Sequence, residues 1–391
     1  MKIKSVFLFV GLLLAFTTQF INSKDRARDL GVPFSGTPGK YNAITDVPGL
    51  LVGHTTLISG SGKLEVGKGP IRTGVTAILP HGRDIHKTVA AARSVINGTG
   101  EMTGAALIDE IGQFLGPIML TGTTSTGIVS YSTSKWIRDN FPKSNWIAGL
   151  IPIVAETQDE PLNDVFGYHV KEKHVVNALN SASSGPVAEG NVGGGTGMTA
   201  YGFKGGIGTS SRIVKTPDGE YTVGVLVQAN HGMRHVLRIA GVPVGKEISD
   251  IQMEEPLSEN DHETKQSLII IIATDAPLRP QQLARLARRA TLGVGRNGSV
   301  ATNFSGEMAL AISTTYGVEM FEPHNTIKGP SNWNPAVLTP LYEAVVDATE
   351  ESIVNVLVAA ETMQGANNSK LYALPHDRLI KLLKKYNRYN K

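Results

Sequence analysis

The chain has 391 residues, 43 glycines, 20 prolines and no cysteine, with a formal net charge of +3. Zero cysteine excludes disulfides, thiolate metal sites, iron–sulfur clusters and a cysteine nucleophile. A 41 % hydrophobic and 18 % charged composition is that of a globular chain with ample core material, and the near-neutral balance is not that of a nucleic-acid binder.

The chain opens on Lys2 and Lys4, then an apolar run from Val6 to Phe16, then small Ser23 ahead of Lys24-Asp25-Arg26. That layout predicts a secretory signal peptide over residues 1–23, because the run is too short to span a bilayer comfortably. An uncleaved anchor is the alternative reading. No further apolar run approaches the ~20 residues that a membrane helix needs. A periplasmic or secreted protein that leaves the membrane after signal removal is therefore expected.

Residues 24–42, rich in Gly and Pro, read as an arm. Strands are expected at Leu51-Val52, Val75 to Ile78, Ile151 to Val154, Tyr221 to Gln228 and Leu268 to Ala273. Several are apolar on consecutive residues, as in strands covered on both faces. Helices are expected at Thr88 to Ile96, Met102 to Phe114, Ser132 to Asn140, Pro280 to Thr291 and Val337 to Met363. The whole reads as one α/β domain with helices layered on sheets. Glu247 to Lys265, with Glu259, Asp261 and Glu263, reads as an exposed linker running into the strand that Ser267 opens. The basic cluster from Arg378 to Lys391 reads as a solvated helix face.

Gly190 to Gly197 lacks the Gly-Lys-Ser/Thr ending of a phosphate loop. It is read instead as backbone that turns tightly or approaches other backbone closely. His231 and His235 lie four apart, but no His-Glu-x-x-His and no third ligand accompany them. They are read as surface or hydrogen-bonded histidines, and no metal or organic cofactor is expected. No Gly-x-Ser-x-Gly elbow is present.

Ser267 and Ser305-Gly306-Glu307 remain. Read alone they are a strand start and a turn. A cut before Ser267 would place an α-amine, of unperturbed pKa about 7.7–8, beside the hydroxyl of the same residue, where it can accept that proton. A second serine and a carboxylate would then orient the amine.

At these residues the sequence resembles the DmpA/BapA group of serine aminopeptidases. The resemblance shows in Asn42 to Gly49 with Val52-Gly53-His54, and in Asn97-Gly98-Thr99-Gly100-Glu101-Met102-Thr103-Gly104. It continues through Val154-Ala155-Glu156-Thr157, Gly190 to Met198, Gly224 to Asn230, Ala273-Thr274-Asp275-Ala276-Pro277-Leu278, Leu283 to Arg289 and Ala373-Leu374-Pro375-His376. It implies a four-layer αββα sandwich, similar to N-terminal-nucleophile hydrolases with different connectivity. It implies self-cleavage between Gln266 and Ser267 into 24–266 and 267–391, and a homo-oligomer, often a tetramer of processed heterodimers. It implies Ser267 as nucleophile, Ser305 and Glu307 as its organisers, and Asn230 as oxyanion donor. The expected substrates are small peptides, amides or esters with an N-terminal β- or small L- or D-α-amino acid.

Glu156 is expected to hold the substrate ammonium, and Tyr131 to line the pocket. Two departures stand out. Gln266 replaces the usual Gly or Asn, and Ser130 stands where the family's pocket tyrosine is usual, with Tyr131 one residue later. The rival readings are an acyltransferase of the ornithine acetyltransferase type and a non-catalytic exported binding protein.

Overall fold

In Ser267–Thr274 every residue is buried, because an isoleucine-rich run apolar at consecutive positions feeds two cores at once. Leu268, Ile270 and Ile272 join one core and Ile269, Ile271 and Ala273 the other. In the computed structural model, which describes residues 25–141, 151–254, 266–316 and 338–390, this strand is central to a six-stranded sheet.

In chain order the elements begin with β1 (Leu51–Ser59), β2 (Ile71–Leu79), β3 (Val89–Gly98), α1 (Ala105–Ile111), β4 (Gln113–Phe114), β5 (Ile118–Gly122) and α2 (Thr126–Asn140). Then come β6 (Ile153–Thr157), α3 (Glu172–Ser181), the short pair β7 (Thr199–Ala200) and β8 (Phe203–Lys204), β9 (Gly206–Thr216) and β10 (Gly219–Asn230). The rest are α4 (Val244–Glu247), β11 (Ser267–Thr274), α5 (Pro280–Arg296), β12 (Gly306–Ser313), α6 (Leu338–Ala359), β13 (Met363–Gln364), β14 (Lys370–Leu371) and α7 (His376–Lys385). One sheet has the order β1-β2-β5-β6 and the other β4-β3-β12-β11-β10-β9. Strands β11 and β12 are parallel and joined through α5, whereas β10 runs antiparallel to β11.

Three apolar cores separate four layers. The first packs Leu283 and Leu286 of α5, Leu341 and Ile353 of α6 and Leu379 of α7 onto the six-stranded sheet. The second lies between the sheets, where Ile118, Leu120 and Ile153 meet Leu226, Ile269, Ile271 and Leu310. The third packs Trp136 and Ile137 of α2 and Val175, Ala178 and Leu179 of α3 onto Val75, Ala77, Met119 and Val154. This is the αββα sandwich that the resemblance implies.

The expected strands all form, most of them longer than anticipated. Three expectations change. Thr88 to Ile96 is strand β3, not a helix: Ala90 and Ala92 feed the outer core and Ala91 the inter-sheet core, so burial on both faces overrides alanine's helical preference. Of Met102 to Phe114 only α1 is helical, since Gly112 closes it at φ 69° and the next two residues pair with β3. The final long helix stops at Ala359, before Met363 enters β13.

The arm is fastened by charge. Arg26 reaches Glu189 at 2.8 Å and Arg28 reaches the buried Glu351 at 2.8 Å. In the linker, Ile248 is fully buried behind α4, and Glu259, Asp261 and Glu263 lie outside the described residues. On α7, Arg378 bonds Asp250 and Lys385 bonds Glu247, so that basic face is partly paired. Among the described residues no helix is long and apolar enough to cross a membrane.

Candidate active site

Strand register brings the site together. Asn230 is the cross-strand partner of Ser267, and residues paired in an antiparallel ladder share a face. That face looks into the inter-sheet layer. Ser267 alternates with Ile269 and Ile271, and Gln228, two before Asn230, reaches Thr121 O at 3.0 Å and Thr157 Oγ1 at 2.9 Å on the opposite sheet. Asn230 Oδ1 accepts the Thr199 N–H at 2.8 Å, which fixes the other end of the carboxamide as the donor end.

On the other flank, Ser267 pairs in parallel with Gly306. The Gly306 N–H donates to the Gln266 carbonyl at 3.0 Å, so the carbonyl just before Ser267 already carries a donor. Gly306 cannot be replaced: a Cβ there would sit 2.4 Å from Thr99 O. Gln266 is held by its side chain too, since Oε1 accepts the Gly232 N–H at 3.0 Å.

Ser305 and Glu307 flank Gly306, and Glu307 shares the parity of Ala309 and Ala311, on the helix side of the sheet. The backbone nitrogen of residue 267 lies in the sheet plane between the two faces. Ser305 Oγ makes a very short hydrogen bond with Glu307 Oε2 and lies 2.7 Å from Thr302 O. One hydroxyl proton cannot serve both acceptors, so the trio is saturated when Glu307 is protonated. Burial pushes the Glu307 carboxyl in that direction, against the opposing effect of the Ser305 bond. Glu307 Oε1 is buried with no hydrogen-bond partner among the described residues.

Glu156 comes from the facing sheet. Its Oε1 accepts the Glu101 N–H at 2.9 Å, and its Oε2 accepts from Thr123 Oγ1. Gly100 is the spacer between it and β12: a Cβ there would lie 3.2 Å from Glu156 Oε1 and 3.5 Å from the Gly306 Cα. Burial raises the Glu156 carboxyl above its ordinary range, opposed by the Thr123 and Glu101 bonds.

The structure thus gathers Ser267, Asn230, Ser305, Glu307, Gln266 and Glu156 at one end of β11. Tyr131 is not joined to them by any contact among the described residues; it stands 63 % exposed on α2 in the outer helix layer. His231 departs from the expectation of a surface or hydrogen-bonded ring. It is buried edge-on to Tyr201 at 5.0 Å, and neither ring nitrogen has a hydrogen-bond partner among the described residues. His235 is exposed, and no cluster of three potential metal ligands occurs among the described residues.

The glycine run behaves as backbone in close approach. A Cβ at Gly194 would meet Gln228 Oε1 at 2.1 Å, and one at Gly195 would meet Ile207 N at 2.5 Å. The Thr199 amide that orients Asn230, and the Gly100 spacer, were not singled out in the sequence. Asn97-Gly98-Thr99-Gly100 was visible there only as a string, without its geometry.

A four-layer sandwich with a serine opening a central strand at the inter-sheet layer defines a serine hydrolase of the N-terminal-nucleophile type. The profile of peptidase family S58 matches residues 42–371, and the chain belongs to that family. It is a serine aminopeptidase. It is 56 % identical over 365 residues to a β-peptidyl aminopeptidase BapA of Sphingosinicella xenopeptidilytica, covering 92 % of this chain and 91 % of that one. It is 48 % identical to a β-peptidyl aminopeptidase BapA of Sphingosinicella microcystinivorans, covering 93 % of each. Among solved structures, the L-aminopeptidase D-Ala-esterase/amidase of Ochrobactrum anthropi superposes with a TM-score of 0.85 at 43 % identity, over 93 % of this chain and 99 % of that one. That protein is described as a prototype serine aminopeptidase with a variant of the N-terminal-nucleophile hydrolase fold.

Proposed function

We propose that the chain is exported, loses residues 1–23, and cuts itself once between Gln266 and Ser267 to become an aminopeptidase for peptides and amides that begin with a β-amino acid. The observation that carries this is the end of β11. Ser267 lies between Asn230 and Gly306, and the Gly306 N–H is already bonded to the Gln266 carbonyl.

In maturation the Ser267 hydroxyl attacks the Gln266 carbonyl, and the Gly306 N–H supports the developing oxyanion. The C–N bond breaks as the acyl group moves to oxygen. Water hydrolyses the ester, leaving a Gln266 carboxylate and a Ser267 α-amine.

In turnover that amine accepts the Ser267 proton while Oγ bonds the carbonyl carbon of the substrate's first residue. The proton passes to the leaving amine as the scissile C–N bond breaks, and water then releases the acyl group. Ser305 and Glu307 hold the α-amine, with Glu307 Oε1, which has no partner among the described residues, as an acceptor for it. Asn230 donates to the substrate oxyanion. Glu156 meets the substrate ammonium, a role supported by its place beside Gly100, which separates it from Gly306.

Preference for a β-amino acid rests on the two Sphingosinicella relatives. A periplasmic or secreted site of action rests on the N-terminal layout, and a tetramer of processed heterodimers on the family resemblance. Purified protein assayed on β-alanine p-nitroanilide and L-alanine p-nitroanilide tests the substrate reading. Faster turnover of the β-substrate supports it, and turnover of the L-α-substrate alone contradicts it.

A further inference from the structure

Lys204 is fully buried on β8, where desolvation of an ammonium is costly. Its Nζ lies 2.8 Å from Met198 O, 2.9 Å from Gly205 O and 3.5 Å from Gly195 O. Three acceptors, and no donor among the described residues, match the three N–H groups of an ammonium. Among the described residues no carboxylate lies within ion-pair distance, and Asp159 is the acid whose charge acts on it. Burial pulls its pKa down to about 7. The catalytic scheme above does not use this buried cation.

The Met198–Thr199 peptide connects it to the site. Lys204 is the cross-strand partner of Thr199 in the β7–β8 pair. The Met198 carbonyl accepts from Lys204 Nζ and, at 2.8 Å, from the Gly205 N–H. The N–H of the same peptide unit, on Thr199, donates to Asn230 Oδ1. Charge drawn toward a peptide oxygen makes its N–H a stronger donor, and a carboxamide that accepts at oxygen becomes a stronger donor at nitrogen.

We infer that Lys204 is a positioning residue that acts through the Met198–Thr199 peptide to orient and polarise the Asn230 carboxamide for oxyanion binding. The inference rests on the proposed role of Asn230. Lys204 touches neither substrate nor nucleophile, so its effect falls on kcat through Asn230 and leaves KM unchanged.

The test is a double-mutant cycle of Lys204→Met and Asn230→Ala, read as kcat and KM on β-alanine p-nitroanilide per processed, folded chain. Lys204→Gln, which keeps two donors without the charge, runs in parallel and carries the cycle if the methionine variant does not fold. Asn230→Ala is expected to lower kcat by about 10²–10³-fold. Lys204→Met is expected to lower it about tenfold with KM unchanged, and by less than about twofold once Asn230 is alanine. Lys204→Gln is expected to fall between wild type and Lys204→Met. A costly Asn230→Ala combined with the same Lys204 loss in both backgrounds overturns the relay alone. An Asn230→Ala enzyme with undiminished kcat overturns the oxyanion assignment and the relay with it.

Discussion

Two buried carboxylates on the helix side of the six-stranded sheet have opposite surroundings. Glu351 of α6 is saturated. It receives Arg28 Nε at 2.8 Å, Arg212 at 2.7 Å and Asn42 Nδ2 at 2.6 Å, and Arg212 in turn donates to the carbonyls of Ser35, Ser211 and Asp347. Burial works against its charge, but the Arg28 bond and the Arg212 charge outweigh it, and its carboxyl is held below the usual range. Among the described residues Glu307 has Ser305 on one oxygen and nothing on the other, and burial drives its carboxyl upward. The first arrangement fastens the arm and α6 to the sheet. The second keeps an acceptor uncommitted among the described residues, next to the proposed cleavage site, as expected of a group that completes its contacts only after the chain is cut.

If the contrast is right, perturbations at the two places separate cleanly. The largest effect belongs to Ser267→Ala, which should abolish cleavage and lower turnover by on the order of 10⁵-fold or more. Intact mass and an ester assay read both, and a cut chain in this variant would break the scheme. Next is Glu351→Leu, which leaves Arg212 buried without its carboxylate and should cost about 3–5 kcal/mol of stability. Denaturant unfolding measures it, while kcat per folded molecule should stay near wild type.

The pH dependence at Glu351 has a definite sign. Because its folded pKa is depressed, its stabilisation is present above the ordinary carboxylate pKa and is lost as pH falls through the folded value. Wild type should therefore lose more stability on acidification than Glu351→Leu.

Asn230→Ala should follow, with a fall in kcat of about 10²–10³-fold and little change in KM. Smallest is Glu156→Gln, which removes one charge-assisted contact worth about 1.5–3 kcal/mol and should raise KM about 10- to 100-fold with processing intact. Since burial raises the Glu156 carboxyl, the ammonium-binding form is lost sooner on acidification than for an exposed glutamate. KM of the wild type should rise as pH falls through that range, and KM of Glu156→Gln should stay flat. A wild-type KM that does not move with pH removes Glu156 from substrate binding.

The parts of the molecule legible in sequence were those with strong local patterns. Leu268 to Ala273 could be read as a doubly covered strand because six apolar residues in a row have few other uses. Pro280 marked the start of α5. Strand β3 reads as a helix in the sequence because the alanines that suit a helix also fit the tight space beneath α5. Strand β9 carries no strand signal in the sequence, since it begins in glycines that locally mean a turn; in the fold Gly208 lets the strand lie against α6, where a Cβ would meet Ser352 O at 2.2 Å.

The site followed the same rule. Ser267, Ser305 and Glu307 could be singled out by their chemistry, and Asn230 and Glu156 only through the resemblance. Lys204 carried no local signal. Its meaning lies in three carbonyls and a cross-strand amide that only the folded backbone brings together.

The central claim is that Ser267 becomes a chain terminus. The intact mass of the purified protein, with N-terminal sequencing of each fragment, tests it most directly. Two fragments that stay associated are expected, the smaller beginning at Ser267. A single uncut chain that still turns over substrate would contradict it, because the base would then have to come from a group other than the Ser267 amine.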